Sequence, residues 1–115
     1  MLPKKSTQTK TNTSALFEIE SNLHDLRQGE FLVTHYYNTL TRYWQQLDMF
    51  EEHKWDCPED GMLFRKIVEQ KRIFKFLLGL NQNLDEVKGR ILGTKPLPNI
   101  QEVFFEVRRE ESRKK

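Results

Sequence analysis

Apolar residues return every three or four positions through each patterned stretch of this chain, and nowhere do they alternate one in two. That period is the pitch of a helix with one buried face, so the sequence predicts an all-α fold with no strand. SALFEIESNLHDLRQG sets Leu16, Ile19, Leu23 and Leu26 on one stripe, with Ser14 as N-cap and Gly29 as the stop. VTHYYNTLTRYWQQLDMF follows as a second helix. Its stripe is Val33, Tyr36 or Tyr37, Leu40, Tyr43 or Trp44, Leu47 and Phe50, and Thr34 is placed to cap it.

EEHKWDCPEDG breaks the period, because Pro58 has no N–H to donate and Gly61 is permissive, so 51–61 is expected to be a loop. A third helix is expected from about Met62 to Leu78, with Leu63 or Phe64, Ile67, Phe74 and Leu77 or Leu78 facing inward. FLLGLN then turns a corner: Gly79 is expected to take the left-handed conformation common at helix ends, and Asn81 or Asn83 to cap a new start. The short fourth helix, LDEVKGRIL, carries Asp85 and Glu86 in its first turn and is weakened by Gly89. After KPLP, Asn99 and Glu102 have the spacing of a capping box, and Ile100, Val103, Phe104 and Val107 trace a fifth helix.

A chain of 115 residues is one domain at most and buries roughly two thirds of its unfolded surface. With 37% apolar and 31% charged residues, the composition predicts an ordered middle with loose ends. We therefore expect a disordered basic tail over 1–14, a bundle of about five amphipathic helices over 15–110, and a basic tail over 111–115. No apolar run approaches the ~20 residues that span a bilayer. One cysteine, Cys57, excludes an internal disulfide, and an intracellular, cytoplasmic protein is expected.

The net charge of +2 conceals a division: residues 15–60 hold ten acids and three bases, whereas 61–95 hold eight bases and three acids. Solvated helix faces account for most of such a pattern; head-to-tail self-association or contact with a polyanion is the alternative.

Catalytic patterns are missing from the sequence. It has no glycine-rich phosphate loop, nucleophile elbow or paired-cysteine zinc spacing. His53 and Cys57 are four apart but are only two ligands where a structural zinc takes four. Glu51, Glu52, Glu59 and Asp60 read as a solvated acidic loop, and His24 and His35 as surface or half-buried residues. No enzyme activity, cofactor, metal or small-molecule substrate is expected.

The order of the pieces resembles the Gag region of plant copia-type LTR retrotransposons over about residues 16–115. The resemblance rests on LRQG before VTHYYNTLTRYWQQLD, on FLLGLN, on LPNIQEVF leading into a last helix, and on EESR near its end. It implies an all-helical, non-catalytic chain that self-associates into particles and packages RNA. The further upstream helices and downstream zinc knuckle usual in that family are not in this sequence, so a fragment is expected, either a decayed insertion or a piece cut from a longer polyprotein. Apolar surface those helices would cover is expected to drive association.

Arg108, Arg109, Arg113, Lys114 and Lys115 are the candidate phosphate contacts for weak, sequence-independent RNA binding. Leu40, Trp44, Leu47, Phe74, Phe76, Leu77, Leu78 and Leu80 are candidate core or interface residues, with core the first assignment. Besides a Gag-derived assembly domain, two readings remain: a weak nucleic-acid binder acting through its basic termini, and a helical adaptor co-opted by a host cell.

Overall fold

The computed structural model describes residues 2–50 and 57–114, with side chains described from Thr13 onward. Among the described residues five α-helices follow in order: α1 (Leu2–Asp25), α2 (Val33–Phe50), α3 (Pro58–Leu78), α4 (Asp85–Leu92) and α5 (Ile100–Arg113). A 3-10 turn over Gln82–Leu84 leads into α4, and no strand occurs among the described residues. The fold is all-α, as the apolar period requires.

The chain divides into two units, the boundary falling inside α2. The first comprises Met1–Leu26 and Thr39–His53. Its buried apolar side chains are Ile19 and Leu23 of α1 and Leu40, Trp44 and Leu47 of α2, all on the predicted stripes. Because α1 continues to Leu2, Ser14 is an exposed residue within the helix and not its N-cap. The side chains of residues 1–12, most of the expected basic tail, lie outside the described residues.

The second unit comprises Arg27–Asn38 and Lys54–Lys115. In it α5 packs on α3, on α4 and on the 3-10 turn. Its core is Val33, Tyr36, Ile73, Phe76, Leu77, Leu80, Leu84, Val87, Ile91, Val103, Phe104 and Val107. Tyr37 joins two helices by stacking on Phe104 at 4.1 Å and meeting Phe76 edge-on at 5.5 Å.

Several expected boundaries shift. α3 begins at Pro58, four residues before Met62, because a proline at the first helical position gives up only an N–H that would have no partner there. The inner face of α3 is rotated by one residue: Ile73, Phe76 and Leu77 are buried, whereas Phe74 and Leu78, expected in the core, are 41% and 75% exposed. Apolar residues line both possible stripes of this helix, so the period alone does not choose between them. Thr34 lies inside α2, whose start is capped from elsewhere. The capping box of α5 forms as expected: Asn99 accepts from the Glu102 N–H at 2.9 Å and Glu102 accepts from the Asn99 N–H at 3.1 Å.

Candidate functional site

The turn after α1 carries a buried polar side chain with three hydrogen bonds. Gly29 has φ +58°, a left-handed conformation that glycine adopts without strain. This turn presents the neighbouring Gln28 inward, where only 3% of it is exposed. Its backbone N–H donates to the Gly79 carbonyl at 2.8 Å. Its side-chain Nε2 donates to the Phe31 carbonyl at 2.9 Å and to Glu111 Oε2 at 3.3 Å, and its Oε1 accepts from the Asn81 N–H at 3.1 Å. Asn81 Nδ2 returns a bond to the Gly29 carbonyl at 2.8 Å. Both amide hydrogens and the carbonyl of Gln28 are thus engaged, as a buried amide requires.

Beside this turn, the Tyr36 hydroxyl donates toward the Lys75 and Phe76 carbonyls, each at 3.1 Å, in the last turn of α3, where the Lys75 carbonyl also accepts from the Gly79 N–H at 3.3 Å. The ring stacks on Phe76 with centroids 5.6 Å apart. A Cβ on Gly79 would run into that hydroxyl and lie 2.7 Å from Tyr36 Cζ. Gly79 has φ −88°, so the expected left-handed conformation is not what selects glycine; lack of room is. Burial pushes the Tyr36 hydroxyl pKa well above the usual tyrosine range, although Arg27 and a Gly79 backbone hydrogen bond pull it down. Asn81 precedes the 3-10 turn without a side-chain cap bond, and its Nδ2 donates to the Gly29 carbonyl.

Two glutamates close helix starts from other helices. Glu111 of α5 accepts from the Val33 N–H at 2.9 Å, and Glu69 of α3 accepts from the Ile100 N–H at 3.1 Å. A carboxylate there satisfies an orphan donor and lies at the positive end of the helix dipole. Glu110, 6% exposed, faces Arg113 at 3.5 Å, Arg90 at 3.9 Å and Lys114 at 4.0 Å.

Of the candidate core residues, Leu40, Trp44, Leu47, Phe76, Leu77 and Leu80 are buried and Phe74 and Leu78 are not. The candidate phosphate contacts do not form one basic patch. Arg108 and Arg109 are exposed, Arg113 and Lys114 are engaged with Glu110, and Lys115 lies outside the described residues. At helical spacing Arg109 and Arg113 share their face of α5 with Glu102 and Glu106, which cancels their charge. The basic C-terminal run itself holds no aromatic, but Phe105, 55% exposed, lies one helical turn before Arg108 and Arg109.

Glu51, Glu52 and His53 lie outside the described residues. Glu59 and Asp60 occupy the first turn of α3, where they favour its dipole, and His24 and His35 are exposed. Among the described residues no three His, Cys, Asp or Glu side chains are grouped to hold a metal, and no helix is long and apolar enough to cross a membrane. An open groove between α3 and the 96–99 segment has Glu69 on its wall, but that carboxylate already serves Ile100. No protein-family model, curated protein or solved structure matches the chain.

Proposed function

We propose that the chain is a non-catalytic, Gag-like helical assembly domain of the kind carried by copia-type retrotransposons, acting by holding copies together. One observation carries the reading. Gln28–Gly29, Tyr36, Gly79–Asn81 and Glu111, all within the segments that bear the resemblance, meet in one hydrogen-bonded corner. Residues that look distinctive in the sequence therefore work as scaffold, with their polar groups directed at backbone and at one another. Exposed apolar side chains, among them Phe31, Leu32 and Phe105, supply surface for association. Light scattering on the purified chain from about ten to a few hundred micromolar tests it. A mass that rises with concentration is expected; a monomer throughout contradicts the proposal.

A second reading rests on Phe105 one helical turn before Arg108: an exposed ring beside a cation suits a stacked base and its phosphate. Fluorescence anisotropy with single-stranded RNA is expected to show weak, salt-sensitive binding that Phe105→Ala reduces. Binding unaffected by that change removes this reading.

A further inference from the structure

The outer side of α3 carries Leu63, Ile67, Phe74 and Leu78, which are 59%, 44%, 41% and 75% exposed. At about 100° per residue the four fall within roughly 60° of arc, so they form one stripe along the helix. Their spacing is 4, 7, 4, which reads the same in both directions about a midpoint between Gln70 and Lys71. An identical helix laid against the stripe in the opposite direction sets Leu63 opposite Leu78 and Ile67 opposite Phe74, and the second half repeats the first. A contact of this kind is isologous and closes on itself. The antiparallel arrangement also opposes the helix dipoles, and in this register Lys66 falls level with the partner's Lys75.

We infer that this stripe is a homotypic interface, against which a second copy of the chain packs its own α3 antiparallel. The inference rests on the assembly reading for the statement that copies associate, and it adds the face and the register. The four side chains offer on the order of 400 Å² per copy, about half of the ~800 Å² per partner of a standard interface. Lys66, Lys71 and Lys75 rim the stripe, and Lys71 lies next to its own symmetry mate. The dimer is accordingly weak and concentration-dependent, and salt strengthens it by screening the like charges.

Cysteine cross-linking in the Cys57→Ser chain tests the register. Gln70→Cys, beside the symmetry axis, is expected to cross-link to itself. Leu63→Cys and Leu78→Cys are expected to cross-link to each other when mixed but not to themselves, since like positions are about 22 Å apart along the helices. Sedimentation tests the face. Ile67→Asp combined with Phe74→Ser, both at exposed positions, is expected to retain the helical circular dichroism spectrum and to weaken dimerisation at least about tenfold. A monomeric intact chain at every concentration and salt overturns both this inference and the assembly reading. Oligomers unchanged in the double variant, Leu63→Cys cross-linked to itself, or oligomers that salt dissolves overturn this face and leave assembly standing.

Discussion

The Tyr36 hydroxyl occupies the space into which a side chain at Gly79 would project, and its ring carbon Cζ lies 2.7 Å from where a Cβ would be. The two residues belong to α2 and to the end of α3, and they occupy one shared space. Gly79→Ala is expected to cost about 2–3 kcal/mol as overpacking. Tyr36→Phe leaves the Lys75 and Phe76 carbonyls without the hydroxyl and is expected to cost about 1–2 kcal/mol. In the double variant the removed oxygen relieves part of the clash, so the costs should fall short of their sum by about 1 kcal/mol. Urea denaturation of the four proteins measures this; strict additivity contradicts the shared space.

Tyr36 also sets a response to alkaline pH. Its pKa is raised in the folded protein, chiefly by burial, above the ordinary value near 10. The unfolded chain therefore releases this proton first. Stability from the neutral hydroxyl is complete below pH ~10 and falls as pH rises above it. Denaturation midpoints between pH 8 and 11.5 should decline more steeply in the wild type than in Tyr36→Phe. Equal slopes in the two proteins contradict the raised pKa.

Leu77 and Leu78 are neighbours on α3 with opposite surroundings, 2% and 75% exposed. Leu77→Ala is expected to cost about 2–5 kcal/mol, and Leu78→Ala to stay within about 0.5 kcal/mol. Thermal or urea unfolding separates the two; similar losses place the inner face of α3 elsewhere.

Glu111 accepts from both the Val33 N–H and Gln28 Nε2. Glu111→Ala removes a helix cap and is expected to cost about 1–2 kcal/mol, and Glu111→Gln, which keeps an acceptor oxygen, about half of that. Denaturant midpoints of both variants matching the wild type place no weight on this cap.

How much was legible follows from the distance over which each feature is decided. The Asn99–Glu102 capping box spans three residues and forms as the spacing says. The break at Gly79 was legible, but its cause was not: the left-handed explanation is local, whereas the true constraint is a tyrosine from another helix. The inner face of α3 was misread because Leu63, Ile67, Phe74 and Leu78 make an apolar stripe as regular as the buried one, and only packing partners decide between them. Gln28 and Glu111 are 83 positions apart, and no local pattern announces that a glutamine in a turn and a glutamate in the last helix will share a proton donor and acceptor. That Arg109 and Arg113 share a face of α5 with Glu102 and Glu106 shows only at helical spacing and not in a count of charges along the chain.

Amide hydrogen exchange tests most directly whether the turn, the corner and the last helix are one structural unit. The N–H groups of Gln28, Val33 and Asn81 are held by Gly79, Glu111 and Gln28 respectively, each from a distant part of the chain. They are expected to exchange with one common opening free energy, within about 1 kcal/mol of the slowest amides of α3 and α5, as members of a single cooperative unit do. Gln28→Ala should lower the protection of all three together. If the three amides instead exchange at unrelated rates close to those of an open chain, while the helix amides stay protected, the landmarks are separate surface turns and the scaffold that supports the assembly reading does not exist.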